Sequence, residues 1–242
     1  MESTRTTRRN VLKVLVAMGI VAGRPGTVEA QPQAGADMTE AKLVENEKVR
    51  VFRHTAAPGQ AVYGMAPSPH APQLVVFFTD AKLKVAEAGK PPQQVEHKAG
   101  DWWWDSGAGH SAENAGAREV TVFRVEPKGR AATAVPTPER VQWKRTPVLA
   151  GGRILFENDM VRVVEHSARP RMGVCGEGMH THPPHLTISL TGGRIKLMQP
   201  NKEPTIRNGE AGAVFWDDSG PHAIQNLGSR SSRALLIEIK AV

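Results

Sequence analysis

His180-Thr181-His182-Pro183-Pro184-His185-Leu186-Thr187-Ile188-Ser189-Leu190-Thr191-Gly192-Gly193 carries three of the chain's nine histidines in its first six residues. Side chains alternate between the two faces of a strand, so His180 and His182 share one face. Neutral imidazole is the commonest protein ligand for zinc, iron, copper, manganese and nickel. The β-branched run that follows ends in Gly-Gly, which reads as a type I′ turn with positive φ at both central residues. The stretch therefore predicts two or three metal ligands at the mouth of a β-hairpin covering Leu186–Gln199. On its return strand Ile195 and Leu197 face one way, Arg194 and Lys196 the other.

Composition supports the same class outward from this point. The chain of 242 residues holds 23 Gly and 18 Pro, and its apolar runs are short, as in an all-β protein with many turns. Strands are predicted near 160–166, 186–191, 194–199, 204–207, 212–216, 222–226 and 233–240, with no amphipathic helix among them. The formal net charge is +7, but residues 1–30 hold Arg5, Arg8, Arg9, Lys13 and Arg24 against Glu2 and Glu29, leaving +4 for the remainder. The remaining basic residues are scattered, which argues against a nucleic-acid partner. With Cys175 the lone cysteine, no disulfide framework forms within the chain.

A repeat organises the chain. At a constant offset of 112 residues, Leu43-Val44-Glu45-Asn46-Glu47-Lys48-Val49-Arg50-Val51 matches Leu155-Phe156-Glu157-Asn158-Asp159-Met160-Val161-Arg162-Val163. His54 matches His166, Trp104-Asp105 matches Trp216-Asp217, and His110, Asn114 and Gly116 match His222, Asn226 and Gly228. A register held without a gap from Leu43 to Gly116 indicates a duplication. The domains expected are 43–126 and 153–242, joined by a proline-stiffened connector over 127–152, with 31–42 disordered. His54 and His166 persist in both copies and read as structural residues at a strand end. Trp102-Trp103-Trp104 and Phe215-Trp216 read as core aromatics, with pocket lining as the alternative.

The second copy resembles a cupin. His180-x-His182 followed by His185 and Gly192, and Gly212 followed by Gly220-Pro221-His222 and Asn226, are similar to the two motifs of that superfamily. The resemblance implies two tandem cupin barrels, of the double-stranded β-helix or jelly-roll type, that is, a bicupin. It implies a divalent transition metal, Fe, Mn, Ni or Zn, on His180, His182 and His222. His185 stands where the family carries Glu; it is either a fourth ligand or a proton carrier. The first copy departs further: Ser68 and Gln73 replace two of these positions while His70 and His110 remain, so it reads as a degenerate partner. Cys175, matching Tyr63, reads as a buried inert thiol rather than a ligand.

Thr7-Arg8-Arg9-Asn10-Val11-Leu12-Lys13 resembles the twin-arginine export motif, and Val28-Glu29-Ala30 fits a cleavage site. That resemblance implies a signal peptide over 1–30, periplasmic location and no stable membrane insertion after cleavage. The function expected is a mononuclear-metal enzyme, dioxygenase- or isomerase-like, on a small organic acid, phenol or sugar. A non-catalytic module binding a small molecule or carbohydrate through its metal is the alternative, and a purely structural metal the third. Glu157, Glu165, Glu177 and Asp217 are candidate acid–base groups. The chain is expected as a monomer or homodimer.

Overall fold

The computed structural model describes residues 39–128, 152–176, 178–218 and 220–240. The export-like segment, residues 31–38 and all but the ends of the connector lie outside them. Every described element is a strand, and among the described residues no helix is long and apolar enough to cross a membrane. The first copy runs β1 (Thr39–Glu45), β2 (Val49–Ala56), β3 (Ala61–Ser68), β4 (Gln73–Phe77), β5 (Ala81–Glu87), β6 (Gln93–His97), β7 (Trp102–Asp105), β8 (His110–Asn114) and β9 (Val120–Pro127). The second runs β10 (Gly152–Glu157), β11 (Val161–Ala168), β12 (His180–His182), β13 (His185–Ser189), β14 (Gly193–Met198), β15 (Thr205–Gly209), β16 (Val214–Asp217), β17 (Gly220–Asn226) and β18 (Ser232–Ile239).

Each copy folds into a five-stranded and a four-stranded antiparallel sheet. The larger sheets are ordered β1-β2-β9-β4-β7 and β10-β11-β18-β13-β16, the smaller β3-β8-β5-β6 and β12-β17-β14-β15. The 112-residue offset survives in the pairing itself: Val49 opposes Pro127 as Val161 opposes Ile239. The copies also close their loops alike. Asn114 and Asn226 each donate to two backbone carbonyls, and their Oδ1 atoms accept from the amides of Gly116 and Gly228.

Alternation along the strands explains how the layers stack. Val49, Val51, Leu74, Val76, Phe123 and Val125 of the first copy share one core with Val161, Val163, Leu186, Ile188, Leu235 and Ile237 of the second. The two five-stranded sheets thus pack face to face, and Phe156 sits 4.9 Å from Trp102 and 5.7 Å from Trp104, ring to ring. The opposite parity, including Ala56, Val75, Phe77, Leu83, Val85 and Val122, fills the interior of the first barrel together with Tyr63. All five residues of β4 are buried because both its faces are covered.

Two expectations are corrected here. Leu186–Gln199 is not a hairpin: β13 pairs with β16 and β18, β14 with β15 and β17, and the two belong to different sheets. With both edges of β13 occupied, the chain must cross to the other sheet at Gly192-Gly193, and neither glycine has positive φ. Residues 39–42 are not disordered; they open β1, which pairs with β2 from Thr39–Thr55 onward. Their polar composition hid this, because the affinity comes from backbone pairing at a sheet edge.

His54 and His166 are both buried. Arg124 Nε donates to His54 Nε2 at 2.7 Å, which keeps that imidazole neutral. Burial, then the charge of Arg124, pushes His54 from 6.5 down to about 3, and burial, then the nearby His182, takes His166 to about 4. Between those values and 6.5 the unfolded chain binds protons that the folded chain does not. Their contribution is therefore fully present above pH 6.5 and is lost as pH falls, at about 1.4 kcal/mol per pH unit for each histidine. Thermal denaturation followed from pH 8 to 4 should be flat above 6.5 and fall steeply below it, with a shallower slope in His54→Gln; an unchanged slope in that variant would refute the assignment.

Candidate metal centre

Strand pairing gathers the four predicted histidines. β12 against β17 sets His180 directly opposite His222. β13 lies between β16 and β18, so His185 has Asp217 on one side and Glu238 on the other. Ring centroids lie 4.7 Å apart for His180–His222, 4.9 Å for His180–His182, 5.3 Å for His182–His185 and 5.6 Å for His182–His222. His185 is the outlying member toward His222, at 6.1 Å. His182, His185 and His222 are buried, while His180 stands nearer the rim.

The hydrogen bonds fix which nitrogen is presented. His180 Nδ1 meets the carbonyl of Gly178 at 3.1 Å, and His222 Nδ1 that of Gly220 at 3.0 Å. His182 Nδ1 meets Glu238 Oε1 at 3.4 Å. Only a protonated Nδ1 can donate to these oxygens, so Nε2 carries the lone pair in the neutral ring. Nε2 of His180, His182 and His222 is buried in each case without a hydrogen-bond partner. Leaving such atoms unpaired costs about 1–3 kcal/mol each unless something electron-poor is bound. Imidazole donors of this kind suit a divalent transition metal, and the Nδ1 partners are the supporting bonds that metal-bound histidines need. The donor atoms of His180 and His182 fall within 4.8 Å of one another together with Cys175 Sγ, a group that does not include His222.

Burial pushes His180 and His222 below 6.5, which keeps them neutral and available to a cation at pH 7. His185 is likewise lowered by burial, although its Nδ1 bond to the carbonyl of Pro183 and the charge of Asp217 act against this. Its Nε2 lies 4.0 Å from Asp217 Oδ2. For Glu238 burial acts upward, but the His182 hydrogen bond and the Arg162 guanidinium outweigh it and hold the carboxyl below its ordinary value.

One neighbour escaped the sequence reading, and two stand nearer the centre than it placed them. Cys175 Sγ joins the His180 and His182 donor atoms in a group within 4.8 Å of one another, so the thiol stands beside the centre rather than apart in the core. Burial holds it protonated, up to about 12. Glu238 was not among the candidate acids, yet among the described carboxylates it is the one hydrogen-bonded to a cluster histidine; the signal was a single carboxylate in the otherwise apolar run Leu235-Leu236-Ile237-Glu238-Ile239. His166, read as structural, has its ring 6.1 Å from His182 and a buried Nε2 without a hydrogen bond. Glu157 and Glu165 are taken up by Arg162, Lys240, Arg153 and Arg233, and Glu177 lies outside the described residues.

The interior around the cluster is lined by smaller and more polar side chains than its counterpart. Val75, Phe77 and Val122, fully buried in the first barrel, are replaced at the 112-residue offset by Thr187, Ser189 and Ala234, which are partly exposed. Val95 is replaced by Arg207, whose guanidinium lies 5.9 Å from the Phe215 ring and makes no ion pair among the described residues. The Trp run divides by parity: Trp102 and Trp104 enter the seam between barrels, Trp103 stacks on His110 inside.

No family model matches the sequence, and no curated protein matches it. Solved structures do match. A cupin 2 conserved barrel domain protein from Leptotrichia buccalis aligns over 88% of this chain and 98% of its own, at 15% identity and TM-score 0.55. AerE from Microcystis aeruginosa aligns over 87% and 97%, at 11% identity and TM-score 0.59. An oxalate decarboxylase from Lactobacillus farciminis, in complex with formate, aligns over 87% and 83%, at 14% identity and TM-score 0.56. The sheet orders and these likenesses define the class: an all-β protein with the cupin fold. In this chain the fold occurs twice in tandem, as two jelly-roll barrels, with His-rich donor sets that can hold a metal.

Loading with Zn2+ followed by elemental analysis should show metal lost from the C-terminal barrel in His182→Ala and His222→Ala. Because His180 and His222 sit below 6.5, retention on stepwise acidification should persist under pH 6.5. Release already at pH 7 would contradict the described electrostatics.

Proposed function

We propose that the protein is a metal-dependent enzyme of the periplasm whose C-terminal barrel converts a small organic acid. The observation that carries the reading is the gathering of the His180, His182 and His222 rings, each with a buried, unpartnered Nε2, in a barrel that also carries Arg207 at the position of Val95. A bound divalent metal would supply a Lewis-acid centre with open positions for oxygen donors, serving dioxygenase- or isomerase-type chemistry. His180, His182 and His222 hold it. Their neutrality leaves the ion its full charge, which favours an anionic ligand over a phenol or sugar hydroxyl. Arg207 pairs with the substrate carboxylate as a planar, always-charged fork. His185 carries the proton, with Asp217 as its neighbour. The formate-bound oxalate decarboxylase supports a carboxylate ligand by analogy of fold. The twin-arginine-like segment supports export.

The separation of 4.0 Å between His185 Nε2 and Asp217 Oδ2 exceeds a hydrogen bond. A centre without a poised acid–base pair also suits a non-catalytic module that binds a small acid through its metal. Oxygen consumption and product analysis with iron- and manganese-loaded protein against a panel of mono- and dicarboxylates separates the two. Turnover of one acid establishes the enzyme, whereas saturable binding without turnover establishes the module. In either case Arg207→Ala should weaken the acid at least about tenfold, the loss of one charged hydrogen-bonded contact, with metal content unchanged. Unaltered affinity would overturn the organic-acid assignment.

A further inference from the structure

The first barrel lacks a histidine at position 68 and has Gln73 where the second has His185. Its two remaining histidines nevertheless meet a third donor, contributed by the end of β7. Asp105 Oδ2 lies 3.2 Å from His70 Nε2 and 3.4 Å from His110 Nε2, and donor atoms of all three residues fall within 4.8 Å of one another. Asp105 and His110 are buried, and His70 is about three-quarters covered.

The arrangement calls for a positive charge. His70 Nδ1 lies 2.9 Å from the carbonyl of Ala71, so Nδ1 carries the proton. Nε2 faces a carboxylate and has no hydrogen-bond partner. Two electron-rich atoms at 3.2 Å in a buried site repel unless a positive charge lies between them. The same juxtaposition occurs once more in this barrel, where His54 Nε2 lies 3.0 Å from Glu40, and there Arg124 supplies the charge to both. No lysine or arginine is paired with His70, His110 or Asp105 among the described residues.

We propose that the N-terminal barrel binds its own divalent first-row metal ion on His70 Nε2, His110 Nε2 and Asp105 Oδ2. Ligand atoms about 2.0–2.2 Å from an ion and roughly at right angles stand about 3 Å apart, so the two edges from Asp105 Oδ2 are close to those between adjacent ligands on one ion. Two imidazoles and one carboxylate leave several positions open. The carboxylate is fixed from two sides, since Gln73 Nε2 donates to Oδ2 at 3.0 Å and the Gly107 amide to Oδ1 at 2.9 Å. Gly107 has φ of +83°, and a Cβ there would collide with the carbonyl of His70, so only glycine lets the loop close over this donor set. Tyr63 OH, 3.3 Å from His110 Nε2, stands ready as a donor to whatever the ion binds.

The inference does not rest on the C-terminal centre, and one experiment reads both. The full chain is stripped with chelator, reloaded with Zn2+ or Mn2+, dialysed and analysed for bound metal. Two equivalents are expected in the parent, one in His182→Ala, one in His70→Ala and none in the double variant. Asp105→Asn should match His70→Ala; because His70 is partly exposed, its truncation tests the site even if the buried Asp105 variant fails to fold. A single equivalent that His182→Ala abolishes and His70→Ala leaves intact overturns the N-terminal site alone. A single equivalent lost in His70→Ala and kept in His182→Ala supports it and removes the C-terminal centre instead. No metal in the parent overturns both.

Discussion

The structure depends on where the protons of its buried imidazoles are held. His180, His185 and His222 each give Nδ1–H to the carbonyl two residues earlier, and His70 gives its own to the carbonyl one residue later. Each of these bonds is short-range, so the backbone at the strand ends selects the tautomer. What remains is Nε2, aimed inward, and for most of these rings no protein donor answers it. A core made of lone pairs is unstable in itself, and it becomes coherent once a cation occupies it.

The same scaffold carries this arrangement in two different interiors. In the first barrel Val75, Phe77, Leu83, Val85 and Val122 belong to one buried apolar cluster. In the second, smaller and polar side chains stand at the corresponding places, and Arg207 introduces a charge where Val95 had none. Glu238 sharpens the contrast by bonding His182 while Arg162 balances its charge.

Much of this was legible in the sequence. The constant offset, the short alternating runs and the spacing of His180, His182 and His222 were enough for the tandem barrels and for the histidines brought together. What stayed hidden depends on which strand lies beside which. Gly192-Gly193 looked like a hairpin turn because local turn chemistry cannot reveal that β13 already has two neighbours. Asp105 and Cys175 belong to no spacing pattern with the histidines they approach; only the pairing of β4 with β7, and the path of the chain before His180, bring them there. Residues 39–42 looked unstructured because an edge strand is specified by hydrogen bonds to its neighbour and little by its own side chains.

The seam between the barrels is built from the same positions twice. Val49 and Val161, Val51 and Val163, Leu74 and Leu186, Val76 and Ile188, Phe123 and Leu235, and Val125 and Ile237 are counterparts, and all twelve line one shared core. A surface that complements its own copy is what a twofold-symmetric pair of separate molecules would present. Here that pair is a single polypeptide. Obligate partnership inside one chain releases the halves from having to stay identical, since a substitution in one pocket is no longer imposed on the other.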